Sequence, residues 1–233
     1  MTKKTFLVVQ SPETYPCSYL PKQQARSLYI DPREDLGLPE LSLLSRNGFR
    51  RSGRLLYRPN CQDCQACQSA RLHTQRFRPN RSQKRVLVRN KDLRLSIEEP
   101  SLALYPLYER YIQERHQDGD MYPASPQQFI DFLLSDYGNT AFFVAYKNNQ
   151  AIACMVFDCL EDGLSAVYCF YDPDYPERSL GSFMIMRLTT LCLWLNLPFN
   201  YLGYYVKDSS KMQYKKHYQP LELFYDDSWH PGS

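Results

Sequence analysis

Three cysteines stand at regular two-residue gaps, Cys61, Cys64 and Cys67, so that one loop can surround a single metal centre. Cys17, far upstream, would supply a fourth ligand. Four thiolates bind either a tetrahedral zinc ion or an iron–sulfur cluster. The alternative is a group of unmetallated thiols in a turn. We predict a structural metal ion or cluster at Cys17, Cys61, Cys64 and Cys67.

Basic residues are concentrated in one segment, from Arg46 to Arg94. It holds 12 Arg and 2 Lys against only Asp63 and Asp92, which gives it a net charge of +12. The whole chain carries +3, so the remainder carries −9. Guanidinium groups form forked hydrogen bonds with phosphate and carboxylate. A solvated basic face is the alternative. Because the acidic residues of a mixed surface are missing, the segment predicts binding to a polyanion such as RNA.

The composition describes a soluble globular chain. Of 233 residues, 43% are apolar and 23% are charged, which excludes disorder, a collagen repeat and a membrane span. The first ten residues hold too few apolar residues for a secretory signal, so we expect a cytoplasmic protein. Disulfides are disfavoured in that reducing compartment. Cys154, Cys159, Cys169 and Cys192 are therefore expected to pack as small core thiols.

Two regions of different character must position these residues. The first, to about residue 95, is rich in turn residues, whereas the second has regular apolar runs separated by turns. In the first region the pattern predicts strands over 5–10, 55–58 and 69–73, and a helix over 21–29. In the second it predicts helices over about 104–112, 125–133 and 180–195, and strands over 141–146, 151–157, 164–171 and 201–206.

This order of elements predicts an α+β fold with two domains. Residues 1–97 would form a small irregular Cys-containing domain, and residues 98–233 an N-acetyltransferase-like (GNAT-type) domain with a mixed sheet. In the latter, donor phosphates rest at the start of the crossover helix. Only Arg178 and Gly181 fit a phosphate loop there. Coenzyme A is therefore disfavoured as a donor, and a coenzyme A acetyltransferase is a weaker alternative.

Several motifs, in order along nearly the whole chain, carry a family resemblance. The chain resembles the bacterial aspartate/glutamate leucyltransferases, relatives of the eukaryotic arginyl-tRNA protein transferases. The resemblance implies transfer of leucine from leucyl-tRNA to proteins with N-terminal Asp or Glu, marking them for degradation by the N-end rule. The motifs are Gly48-Phe49-Arg50-Arg51-Ser52-Gly53, Tyr57-Arg58-Pro59-Asn60-Cys61, Arg81-Ser82-Gln83-Lys84-Arg85, 168–173, Arg178-Ser179-Leu180-Gly181, Tyr201-Leu202-Gly203-Tyr204-Tyr205, and Lys211-Met212-x-Tyr214-Lys215.

The implied reaction is aminolysis of an already activated ester, which requires neither a strong protein nucleophile nor a cofactor. The site must accept a proton, stabilise the oxyanion and recognise an acidic side chain. We predict Asp172 as the proton acceptor, and the alternative is that it shapes a turn with Pro173. Backbone N–H groups near Tyr204 or the crossover helix would serve the oxyanion.

Substrate binding is predicted for basic residues and for tyrosines. Arg51, Arg54, Lys211 and Lys215 are the candidates for the acceptor's acidic side chain, and each would alternatively contact tRNA phosphate. Tyr201, Tyr204, Tyr205, Tyr214 and Tyr218 are numerous enough to stack on the terminal adenosine, with most of them expected in the core. Arg50, Arg81, Arg85 and Arg178 complete the predicted substrate-binding set.

Two alternatives to leucyl transfer remain open from the sequence. The first keeps the reaction and changes the donor to arginyl-tRNA. The second is a non-catalytic, metal-stabilised RNA-binding protein, which would bind tRNA and transfer nothing.

Overall fold

The computed structural model describes residues 6–134 and 137–232. Every helix in these ranges is too short or too polar to cross a bilayer. The strands are β1 (Val8–Gln10), β2 (Tyr15–Pro16), β3 (Gln24–Ala25), β4 (Ser27–Ile30), β5 (Arg50–Ser52), β6 (Leu55–Pro59), β7 (Gln68–His73), β8 (Arg94–Glu98), β9 (Thr140–Lys147), β10 (Gln150–Leu160), β11 (Gly163–Tyr171), β12 (Phe199–Tyr205), β13 (Leu221–Tyr225) and β14 (Ser228–Pro231). The α-helices are α1 (Leu38–Arg46), α2 (Arg81–Arg89), α3 (Tyr105–Arg115), α4 (Pro126–Leu133) and α5 (Leu180–Trp194), and short 3-10 helices cover Leu102–Leu104, Pro176–Arg178 and Gln213–His217.

An eight-stranded mixed sheet forms the centre of the fold. Its order is β14-β13-β7-β12-β11-β10-β9-β8, and only the β11–β12 pair is parallel. The predicted meander is confirmed in β9, β10 and β11. Asn148 and Asn149 adopt positive φ angles of 48° and 65° between β9 and β10, as a tight hairpin requires. The predicted crossover is confirmed in α5, which joins β11 to β12.

Both faces of the large sheet are covered, so its central strands read as nearly continuous apolar runs. Met155 and Phe157 of β10 pack with α5 on one face. Cys154 and Val156 of the same strand pack with α3 and α4 on the opposite face. Leu160, further along the strand, packs against α1 and the small sheet of β1, β4, β6 and β5. The predicted α+β fold is thus confirmed.

The helix predicted over 21–29 is wrong. The chain there forms β3 and β4, and β4 pairs antiparallel with both β1 and β6. Tertiary pairing satisfies the backbone of this segment on both edges, which outweighs a weak local preference for helix. The strand predicted over 5–10 is observed from Val8, while Thr5 lies outside the described residues.

The segments 1–97 and 98–233 share the large sheet. Strand β7, from the first segment, lies between β12 and β13 and pairs antiparallel with both. Its residues Ala70 and Leu72 are fully buried in the core beneath α5. The predicted two-domain division therefore does not coincide with a division of the sheet.

Candidate active site

Strands β11 and β12 pair over only three residues. The parallel register joins Gly163 to Phe199, Leu164 to Asn200 and Ser165 to Tyr201, and it ends there although both strands continue. A bulge follows in β12, between Tyr201 and Gly203. The carboxyl halves of the two strands therefore separate. Parallel sheets bind ligands at the carboxyl ends of their strands, so the gap between β11 and β12 is a candidate binding site.

Lys215 is brought to this gap by the 3-10 helix Gln213–His217. Its side chain is buried, with 4% of the residue exposed. The Nζ atom donates hydrogen bonds to the carbonyl oxygen of Tyr204 and, at 3.3 Å, to Sδ of Met212. Burial, reinforced by the Arg50 guanidinium, lowers the pKa of Lys215 to about 7.

Arg50 is a second buried cation, on β5. Its Nη1 atom donates to the carbonyl oxygens of Ser45 (3.1 Å) and Phe49 (2.6 Å), and the guanidinium lies 5.1 Å from the ring centroid of Tyr201. Its Nε and Nη2 atoms are buried and meet no acceptor among the described residues. Burial lowers the pKa of Arg50. The Nε–Nη2 edge has the geometry with which arginine binds a carboxylate through two parallel hydrogen bonds.

Tyr204 joins the two parts of the molecule. Its hydroxyl lies 3.0 Å from the carbonyl oxygen of Gly48 and 2.9 Å from that of Tyr57, to which it donates. Burial raises the pKa of the phenol well above its usual value. The ring is therefore a core residue that does not stack on a nucleoside. Tyr204 contributes to the gap through its backbone, because its carbonyl oxygen accepts a hydrogen bond from Lys215.

Asp172 lies at the end of β11 but is already engaged. One carboxylate oxygen forms an ion pair with Nη1 of Arg110 at 3.0 Å and accepts a hydrogen bond from the backbone N–H of Asp174 at 3.0 Å. Arg110 also pairs with Asp174 and Glu114. These contacts fit the turn-forming alternative for Asp172, and its role as the proton acceptor stays a prediction. Arg110 could not be singled out from the sequence, because nothing local links a helix residue to this turn.

Two other predicted substrate ligands are held by carboxylates. Arg51 forms a buried ion pair with Asp158, and its other N–H groups donate to two backbone carbonyls and to the Thr140 hydroxyl. Arg178 forms a two-point ion pair with Asp92 at 2.9 and 3.0 Å, and the guanidinium lowers the pKa of that carboxyl. These ion pairs hold both arginines to neighbouring elements, and their contact with substrate stays a prediction.

The remaining predicted ligands lie nearer the surface. Lys211 pairs with Asp118 at 3.2 Å, and both side chains are mostly exposed. Such a pair is weak and exchanges readily. Arg54 is exposed in the turn between β5 and β6, and Tyr214 is 44% exposed. Arg81 and Arg85 lie exposed on α2 beside Lys84.

The four cysteines of the predicted cluster line one cavity of about 530 Å³ together with Tyr19, Tyr57 and Tyr204. Burial and then the neighbouring thiols Cys17, Cys61 and Cys64 raise the pKa of Cys67 to about 12. Cys17 Sγ accepts from the N–H of Leu20 at 3.4 Å. Across residues 6–134 and 137–232, no three His, Cys, Asp or Glu side chains are arranged to hold a metal ion. The four thiols thus line the same cavity, but they are not arranged as the ligands of one metal ion. A metal ion or cluster at this position stays a prediction.

Gly203 is a position whose importance the sequence did not reveal. It has a φ of +74° and lies at the bulge of β12. A glycine inside a strand pattern is a signal for such a bulge. The motif 201–205, which contains Gly203, carries part of the family resemblance. The position of Gly203 against Lys215, however, depends on a contact across the fold.

Comparison with known proteins agrees with this architecture. Residues 15–85 match the N-terminal model, and residues 103–225 the C-terminal model, of the family described as arginine-tRNA-protein transferase. A protein of Pseudomonas paraeruginosa named aspartate/glutamate leucyltransferase is 45% identical over 231 residues, covering 98% of both chains. A protein of the same name from Teredinibacter turnerae is 46% identical over 233 residues, covering 98% of this chain and 96% of the relative.

A solved structure supports the fold alone. The structure of L-PGS from Bacillus licheniformis superposes with a TM-score of 0.52 at 11% sequence identity, over 66% of this chain and 57% of that one. The sequence matches extend through both parts of the chain and include β5, β12 and the 3-10 helix Gln213–His217, which carry Arg50, Tyr204 and Lys215. This chain belongs to the arginine-tRNA-protein transferase family.

Proposed function

We propose that this protein transfers leucine from leucyl-tRNA to the α-amine of proteins that begin with Asp or Glu. Two full-length relatives bear the name aspartate/glutamate leucyltransferase, which supports both the donor amino acid and the acidic acceptor. The observation that carries the proposal is the buried Nε–Nη2 edge of Arg50, which meets no acceptor among the described residues. A buried charged donor without an acceptor is costly, and a substrate carboxylate would satisfy it.

The acceptor's acidic side chain is assigned to Arg50. Its Nη1 atom is fixed by two backbone carbonyls, so the guanidinium is held in place before the substrate arrives. A carboxylate then gains two charge-assisted hydrogen bonds with little loss of side-chain entropy. An amide in its place would present an N–H₂ group to one of the two donors. Asp and Glu are thereby preferred over Asn and Gln.

The donor tRNA is assigned to the exposed basic residues of the N-terminal segment. Arg81, Lys84 and Arg85 lie on α2, and Arg54 is exposed in the β5–β6 turn. Cationic side chains of this kind bind nucleic acid through its phosphates, without reading sequence. Tyr214, partly exposed beside the gap, is assigned to stacking on the terminal adenosine. Lys211 remains with this group, because its ion pair is exposed.

The transfer reaction requires the protein mainly to position its two substrates. The ester of an aminoacyl-tRNA is activated, and a peptide α-amine has a pKa of about 7.7 to 8.0, so an appreciable fraction is neutral near pH 7.5. Holding the amine against the ester supplies a large share of the acceleration. No cofactor is required for this step.

The decisive assay mixes the protein with radiolabelled leucyl-tRNA and peptides that begin with Asp, Glu, Asn or Lys. Leucylation of the Asp and Glu peptides, and of these in preference to Asn, supports the proposal. A competition between leucyl-tRNA and arginyl-tRNA distinguishes the two donors. Binding of tRNA with no transfer to any peptide would contradict enzymatic function and support an RNA-binding protein. A thermal shift with acetyl-CoA would support the acetyltransferase alternative.

A further inference from the structure

Gly203 of β12 leaves room beside the amine of Lys215. A β-carbon built on this glycine would meet one atom within 4 Å outside its chain neighbours, Nζ of Lys215 at 3.8 Å. The φ of +74° and the bulge turn the backbone so that this space opens beside the lysine. Among the described residues outside the chain neighbours of Gly203, the Lys215 amine is thus the group that borders this position within 4 Å.

The number of hydrogen-bond partners at Nζ fits a neutral amine. The two acceptors in contact with it are the carbonyl oxygen of Tyr204 and Sδ of Met212. A neutral lysine has two N–H donors and one lone pair, whereas an ammonium has three donors. With two acceptors at hand, the neutral form is fully satisfied and keeps its lone pair unoccupied. The third N–H of the ammonium would be buried and would meet no acceptor within the part of the chain that the structure describes.

The groups that face Lys215 act in opposite directions, because the Arg50 guanidinium disfavours its ammonium form whereas the Tyr214 ring favours it. From β5, Arg50 contributes a positive charge, and from its own 3-10 helix Tyr214 presents a ring whose centroid lies 5.6 Å from Nζ. From β12 it meets the Tyr204 carbonyl, an uncharged group. Among the described residues, no carboxylate forms an ion pair with it.

We propose that Lys215 accepts the proton of the attacking α-amine in the space beside Gly203. This role rests on the transfer reaction proposed above. The amine nitrogen attacks the ester carbonyl carbon, forming the C–N bond, and its surplus proton passes to the lone pair of Nζ. As the C–O bond to the ribose breaks, the ribose oxygen leaves with the bond's electron pair and takes that proton. Lys215 returns to its neutral form.

The test is single-turnover leucyl transfer by Lys215→Met and Lys215→Arg, with Lys216→Met as the matched control. Lys216 is the neighbouring lysine of the same 3-10 helix and is exposed. General-base catalysis contributes about 100-fold or more, so both Lys215 variants should lose about that factor in the rate at saturating acceptor. KM and the preference for Asp over Asn peptides should stay within about threefold of the wild-type values. Lys216→Met should react at the wild-type rate.

Three results would overturn the role. A Lys215→Arg rate within about threefold of wild type would show that a fixed positive charge suffices, as for oxyanion stabilisation. A loss confined to KM, with weaker preference for Asp over Asn, would make Lys215 a recognition residue. Wild-type rates in Lys215→Met would remove it from the reaction. If the wild-type protein itself transfers nothing, the proposed function fails, which is a distinct outcome.

A pH profile gives a second measurement that a merely structural lysine would not change. The wild-type rate at saturating acceptor should fall as the pH drops through about 7, because protonated Lys215 has no lone pair. In Lys215→Met that decline should be absent, leaving the titration of the peptide amine alone. The same decline in both proteins would contradict the proposal.

Discussion

Arg51 and Asp158 meet in a buried two-point ion pair that ties β5 to β10. The Nε–Oδ2 and Nη2–Oδ1 distances are 2.7 and 3.0 Å, and the two side chains are only 3% and 7% exposed. Thr140 donates a further hydrogen bond to the same carboxylate at 2.6 Å. The pair lies one residue from Arg50. It therefore fixes the position of β5, the strand that carries Arg50.

We expect Arg51→Ala to destabilise the protein by about 3 to 5 kcal/mol, because it leaves the Asp158 carboxylate buried and unpaired. Urea unfolding monitored by circular dichroism measures the change. The surface ion pair of Arg46 with Glu161 gives a matched comparison, since both side chains are about two-fifths exposed. Arg46→Ala should cost less than about 1 kcal/mol. Equal losses in the two variants would contradict the structural role of the buried pair.

The basic face of α2 should account for part of the salt dependence of tRNA binding. We expect the triple variant R81Q/K84Q/R85Q to weaken binding of leucyl-tRNA. The slope of log K against log salt should fall by about 0.7 to 0.9 for each phosphate that the variant no longer neutralises. Filter binding across a salt series measures it, with exposed Arg115→Gln on α3 as the control for removing a charge elsewhere. An unchanged slope would place the tRNA on another surface.

Arg50 should determine acceptor preference. In Arg50→Gln the paired donors for a carboxylate are absent, and hydrogen bonds to a charged group are each worth about 1.5 to 3 kcal/mol. The ratio of kcat/KM for Asp over Asn peptides should therefore fall by roughly 10- to 100-fold. Arg58→Gln, which removes a partly exposed guanidinium from the nearby cavity wall, should leave the ratio unchanged. A wild-type ratio in Arg50→Gln would rule out this residue as the carboxylate ligand.

Lys215 should reduce stability at neutral pH. Its pKa is about 7 in the folded protein and about 10.4 in an unfolded chain, so between these values the unfolded state binds more protons. That proton uptake favours unfolding as the pH falls from about 10 to about 7. The stability gained by Lys215→Met should thus grow over this window and level off below it. Urea unfolding of both proteins at several pH values tests this, and a constant difference would contradict the lowered pKa.

Local signals predicted the conventional elements well. Ser125, Pro126 and Gln128 predicted the start of α4, and the Ser125 hydroxyl does accept the N–H of Gln128 at 3.1 Å. The two asparagines of the β9–β10 hairpin were equally informative. The helix predicted over 21–29 is wrong because pairing with β1 and β6 determines the conformation of that segment. Such long-range pairing cannot be recognised from the residues of the segment alone.

The site was predicted less completely for the same reason. Arg50 and Lys215 were both named from motifs, but which of many basic residues is buried depends on contacts across the fold. Arg51 and Arg178 carry the same type of charge and differ only in having Asp158 and Asp92 opposite them. Those partners lie 107 and 86 positions away, beyond the reach of any local pattern.

Strand β7 has a consequence for how such a protein can be divided. Its residues Ser69 and Gln68 lie opposite Tyr204 and Tyr205, and it begins directly after Cys67. Removing the first 97 residues would remove β7 from the middle of the large sheet. Strands β12 and β13 would then lose the strand with which both of them pair. The cysteine loop and β12 are thus joined through β7, and we expect neither segment to keep this sheet without the other.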